Sequence, residues 1–199
     1  MPSLASRDKQ LLLEVARRAL IAAVERRDPF ENLPDEASLR QPAGAFVTLR
    51  CRGRLRGCIG QLAPGQGQGL VHVVAHAARS AALEDPRFDP VGSHELVEIE
   101  IELSVLSQAE AIAPSQIEAG KHGLIVERGW QRGLLLPQVA IECRWGAQRF
   151  LEETCVKAGL ERDAWQHSAT RILAFTADVF SESDFRLEIR PKPGYSIST

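Results

Sequence analysis

The segment RLRGCIG, residues 54–60, sets a thiol and two guanidinium groups between glycines in a stretch that otherwise reads as a buried strand. Strand alternation puts Leu55, Gly57 and Ile59 on one face and Arg56, Cys58 and Gly60 on the other. Arg56 and Cys58 are then same-face neighbours, about 7 Å apart along the backbone. A guanidinium at that range favours the thiolate and lowers the thiol pKa from about 8.5. Glycines at 57 and 60 let a second backbone, or a ligand, come close. The pattern suits a cysteine nucleophile beside an anion-holding arginine. Taken alone, it suits better a small apolar filler at Cys58 and an arginine paired with a carboxylate.

Other residues offer chemistry less directly. Glu98, Glu100 and Glu102 line one face of VEIEIELSV, where like charges repel unless they are solvated or paired. Arg50, Arg52, Arg54 and Arg56 supply cations, so Glu100 or Glu102 is expected either to meet Arg56 across a sheet or to face solvent. His122 stands between Gly120 and Gly123, where a general base could be presented, or it is an ordinary exposed histidine. His72 and His76 have the spacing of two metal ligands on a helix. Two ligands without a third do not make a site, and no metal is expected. The loop PGQGQG lacks the lysine and hydroxyl of a phosphate-binding loop. No GxSxG elbow and no dinucleotide fingerprint is present, and no cofactor is expected.

These residues need elements to position them. Apolar residues at Leu12, Val15, Ala16, Ala19, Leu20, Ala23 and Val24 mark a helix, with Ser6 placed to cap it. Three prolines in residues 28–44 predict a surface loop. A hairpin follows, Phe46 to Arg50 and Leu55 to Ile59, turning at Gly53. Residues 70–83 read as a helix, stopped by EDPRFDPVG. Val97, Ile99, Ile101, Leu103 and Val105 alternate with polar residues as a half-buried strand. A second hairpin turns near Gly129 to Gly133 and ends by Pro137. AQRFLEETCVKAGL predicts a helix capped by Gly159, and RILAFTADVFSE one late strand. Hairpins dominate, so the expected class is α+β with antiparallel sheets flanked by helices. Residues 186–199 read as a loose tail.

The totals set limits on function. With 26 acidic and 24 basic residues, the chain carries a formal charge of -2. That charge argues against non-specific binding to nucleic acid or to an anionic membrane. One tyrosine, three tryptophans and seven phenylalanines in 199 residues leave little for base stacking. No apolar stretch is long enough to cross a bilayer, and the start lacks a secretory pattern. Four spaced cysteines without a signal read as reduced thiols, which predicts a cytoplasmic protein.

The motifs also carry a resemblance. GAFVTLRCRGRLRGCIG, with the unbroken hexapeptide LRGCIG, is similar to the hallmark segment of the AMMECR domain family. AARSAALEDPRFDPV, ELVEIEIELSVLS, GKHGLIVERG, GLLLPQVA, FLEETCVKAGL and AFTADVFSE follow in the family's order, over about residues 11–182. The resemblance implies two unequal lobes, the larger built from both chain ends and the smaller from the middle. It also implies membership of the AmmeMemoRadiSam system, with a Memo-type metalloprotein and a radical-SAM enzyme as partners. It supplies no reaction. Carried over by position, the signature residues are Leu55, Arg56, Gly57, Cys58, Ile59 and Gly60, with Asp85, Pro86, Arg87 and Phe88 from DPRF.

Two functions are therefore expected. In one, Cys58 is a nucleophile, Arg56 holds the thiolate or an anionic group, and Glu100 or His122 serves as base. In the other, a glycine-lined cleft with Leu55, Gly57, Ile59, Gly60, Asp85 and Arg87 binds a ligand or a partner segment without catalysis.

Overall fold

Leu12, Leu13, Ala16, Ala19 and Leu20 are fully buried along one face of helix α1 (Ser6–Val24), as their spacing requires. The structure is a computed structural model and describes residues 4–65 and 67–185. Helix α1 begins one residue earlier than expected. Ala5 holds the extended N-cap conformation and its carbonyl accepts from the Lys9 N–H, so Ser6 is already helical and caps nothing. The proline-rich stretch has no regular element, although Leu39 within it is fully buried.

The first hairpin joins β1 (Ala45–Cys51) to β2 (Arg54–Gln61). Arg52 and Gly53 both have positive φ, 52° and 76°, the two-residue turn whose twist suits a hairpin. Helix α2 (Leu70–Leu83) follows, then β3 (Ile99–Leu106). Ile99, Ile101, Leu103 and Val105 are buried as predicted. Their alternation is broken on the polar face by Ser104, which is 2% exposed.

Beyond β3 come β4 (Glu110–Ala111), β5 (Gly123–Arg128) and β6 (Gln131–Leu135). Pro137 ends the hairpin by opening a short helix, α3 (Pro137–Glu142), that the strand pattern did not suggest. Helix α4 (Ala147–Lys157) has Ala158 as its C-cap, and Gly159 takes φ 74° just beyond it.

The predicted late strand is two strands. β7 (Arg171–Phe175) and β8 (Ala177–Ser181) separate at Thr176 and enter different sheets, and α5 (Glu182–Phe185) follows. An uninterrupted β-propensity run carries no mark of a change of sheet, which is why the break escaped the sequence pattern.

The fold is α+β, with two four-stranded sheets flanked by helices, ordered β2-β1-β3-β8 and β4-β7-β5-β6. The chain divides into two compact units. One is Leu106–Ala177, and the other takes residues 4–105 and 178–185 of the described chain. In the latter, α1 and α2 bury their apolar faces with Ala45, Val47 and Leu49 of β1. In the former, Phe150, Leu151 and Cys155 of α4 pack with Leu124 and Val126 of β5. No helix among the described residues is long and apolar enough to cross a membrane. The predicted tail at 186–199 lies outside the described residues.

Candidate functional site

Cys58 lies in β2, the edge strand of its sheet. Its neighbours are not those that strict alternation predicts. Leu49 opposes Gly57 but Arg50 opposes Leu55, so Arg56 is the extra residue of a β-bulge. Directly opposed residues share a face, so Leu55 joins Cys58 on the side of Arg50 and Thr48, while Gly57 and Ile59 stay with the core-facing residues Leu49 and Val47. Leu55 is correspondingly 39% exposed.

The bulge sends the Arg56 guanidinium away from the glutamate row. Its Nε donates to Glu95 Oε2 at 2.7 Å and its Nη2 to Glu95 Oε1 at 2.9 Å. The remaining donors reach the carbonyls of Asp89, at 2.9 Å, and Pro90, at 3.3 Å. Of the two alternatives for Glu100 and Glu102, pairing with Arg56 is therefore corrected, since Arg56 is bound to Glu95. Glu102 has Arg50 as its nearest cation at 3.8 Å, and Glu100 lies opposite Arg50 in register. Hydrogen bonding from Arg56 holds the Glu95 carboxyl below its ordinary value, assisted by the Gly92 N–H and opposed by burial. This fork is bidentate and half-buried, which makes it stronger than a surface pair.

The DPRF residues close the open edge of β2 like a short stand-in strand. Asp85 Oδ2 accepts the Cys58 N–H at 2.8 Å, and Arg87 Nη2 donates to the Cys58 carbonyl at 3.3 Å. Arg87 also binds both Asp85 oxygens, at 2.9 and 2.7 Å. Asp85 is 4% exposed. The Arg87 bonds, followed by the backbone N–H groups of Cys58 and Arg87, hold its carboxyl far below the usual range despite burial. An edge strand with satisfied backbone groups cannot recruit another chain at that point.

The thiol meets two side chains: the Arg87 guanidinium, whose pKa the contact helps to raise after its larger bond to Asp85, and the Thr48 hydroxyl. Thr48 Oγ1 donates to Cys58 Sγ at 3.3 Å, across the β1–β2 pair. His122 belongs to the other unit, where its Nδ1 accepts the Glu118 N–H at 3.1 Å. His72 and His76 are both exposed on α2, and no group of three potential metal ligands occurs among the described residues.

Sequence reasoning missed Thr48 and Glu95. Thr48 had a faint signal, as a polar residue within AFVTLRC. Glu95 had none, because the bulge that aims Arg56 at it comes from strand pairing.

The motif glycines have packing roles. A Cβ at Gly57 would run into the Ala81 carbonyl oxygen of α2, and one at Gly60 into the Phe46 ring and the Ala45 carbonyl. Gly57→Ala is therefore expected to destabilise the fold by about 1–3 kcal/mol, because backbone must move to admit the methyl. Urea denaturation measures the loss, and a variant as stable as the parent would disprove the close approach.

Two antiparallel four-stranded sheets flanked by helices define the chain as an α+β protein, and its relatives narrow the class. The model of the AMMECR1 family matches residues 13–180, so the chain belongs to that family. A protein of Methanothermobacter thermautotrophicus is 46% identical over 187 residues, covering 89% of this chain and 96% of the relative. Protein TK0174 of Thermococcus kodakarensis is 40% identical over 198 residues, covering 92% and 95%. The crystal structure of the uncharacterized protein PH0010 from Pyrococcus horikoshii superposes with a TM-score of 0.73 at 39% identity, covering 85% of this chain and 89% of that one.

Proposed function

We propose that the chain is a non-catalytic binding module. Its contact surface is the open face of β2 around Leu55 and Cys58, held rigid by the Asp85–Arg87 clamp. One observation supports this above the others: every donor group of Arg56 with a recorded bond is committed to Glu95 or to a carbonyl, and none to the thiol. A committed guanidinium does not hold a substrate anion. Exposed Leu55 beside a half-buried thiol on a fixed strand is the chemistry of a contact surface. A Memo-type metalloprotein and a radical-SAM enzyme are the partners the family resemblance proposes for it.

Titration of these two proteins against variants tests the reading. Leu55→Glu is expected to weaken association at least about tenfold, while Cys58→Ala stays within about threefold. Unchanged binding by Leu55→Glu would sink the proposal.

A second reading, a thiol-centred enzyme or enzyme subunit, is favoured by the Thr48 hydroxyl that donates to the sulfur and by the Arg87 guanidinium beside it. Site-resolved alkylation of the native chain separates the two. A binding module predicts that Cys58 reacts no faster than an ordinary thiol near pH 7. Fast alkylation well below pH 8, with loss of function in Cys58→Ser, would select the enzyme.

A further inference from the structure

We propose that the unit Leu106–Ala177 carries a second binding site, for an organic cation that brings hydrogen-bonding groups of its own. A cavity of about 710 Å³ opens among the residues of this unit. That volume falls within the range of small-molecule sites.

Its walls are built from β4, the end of β7 and the turn before β5. Phe175 supplies an apolar wall, and Gly123 makes room for it, because a Cβ there would overlap the Phe175 ring. Glu110, Gln116, Glu118, His122 and Thr176 bring polar groups to the same space.

Charge and hydrogen-bond capacity select the ligand class. Among the described residues no lysine or arginine lines the cavity, which disfavours an anion as occupant. Glu118 is offset by Lys121 at 2.7 Å, whereas Glu110 has no ion pair among the described residues. One carboxylate is thus left to meet a positive group. His122 uses Nδ1 to accept the Glu118 N–H, so the neutral ring carries its proton on Nε2 as a donor. No trio of potential metal ligands stands here or elsewhere among the described residues. An amine or guanidinium at Glu110, with an acceptor toward His122 and an apolar stem against Phe175, satisfies all three walls.

N-acetylputrescine, with one ammonium, an apolar stem and an amide carbonyl as acceptor, is a suitable probe. The full-length chain, labelled with ¹⁵N, is titrated while amide shifts are followed. Saturable shifts at Glu110, Gln116, His122 and Thr176, with a Kd below about 1 mM, are expected. Glu110→Gln is expected to weaken binding at least about tenfold, because it removes the uncompensated charge while preserving shape. Leu55→Glu, in the other unit, is expected to change nothing, so failure here and failure of the binding-module reading remain separate outcomes. Four results would overturn the site: no saturation by about 10 mM, shifts centred elsewhere, equal binding of an uncharged analogue, or an unchanged Kd in Glu110→Gln.

Discussion

Glu182→Ala is expected to lower the free energy of unfolding by about 3–5 kcal/mol, the usual cost of stranding one partner of a buried ion pair. Arg17 and Glu182 are 0% and 3% exposed. Arg17 Nε donates to Glu182 Oε1 at 2.8 Å, and its other nitrogens reach Glu182 Oε2 and the carbonyls of Leu96 and Ile99. Glu182 also accepts the Ile101 N–H at 2.9 Å. The cluster therefore ties α1, the start of β3 and α5 at one buried point. Removing Glu182 leaves a guanidinium without its counter-charge in an apolar core. Chemical denaturation measures the effect. A companion double variant, Arg17→Met with Glu182→Leu, is expected to recover most of the loss, since an apolar pair of similar volume often replaces a buried ion pair without penalty. A Glu182→Ala variant within about 1 kcal/mol of the parent would contradict the geometry.

Asp85→Asn carries the second large effect, about 2–3 kcal/mol, because the bonds to Arg87 and Cys58 lose their charge assistance and one acceptor oxygen becomes an amide donor facing donors. The residue also gives the fold an acid-sensitive component. Its carboxyl is held below its ordinary value when folded, so the stability it contributes is fully present above the unfolded pKa of about 3.9. That contribution declines as pH falls below about 4, toward the folded value. The parent should therefore lose stability over that acid range more steeply than Asp85→Asn does. Parallel denaturation curves at neutral and acid pH check this. Equal slopes for both proteins would mean that Asp85 is not ionised in the clamp. Increased protection loss at the Cys58 amide in hydrogen exchange, specific to the variant, would locate the effect at the strand edge.

The clamp and the ion pair differ in how far they could be read in advance. Arg17 sits four residues after Leu13 and three before Leu20, on the apolar face of its helix. Sequence reasoning passed over it, although a cation on a core face needs a buried partner. Its partner lies 165 residues away, and nothing local to Glu182 marks it. The DPRF residues were recognisable as a motif, yet their bonds to the Cys58 backbone follow only once α2 has been laid against β2.

Periodicity determined most of the elements, since apolar spacing and turn chemistry act over a few residues. The helix at Leu70–Leu83, the hairpin turn at Gly53 and the cap at Gly159 needed no tertiary information. The residues LRGCIG and DPRF likewise marked the right region of the chain. Tertiary structure alone decided what those residues do. A one-residue bulge at Arg56 moved Leu55 to the open face and gave the guanidinium to Glu95 rather than to the glutamates of β3. The division of the last strand at Thr176 between two sheets was decided in the same way. Strand register and sheet membership depend on pairing between distant segments. A single skipped residue changes which side chains share a face without changing the local pattern that encodes the strand.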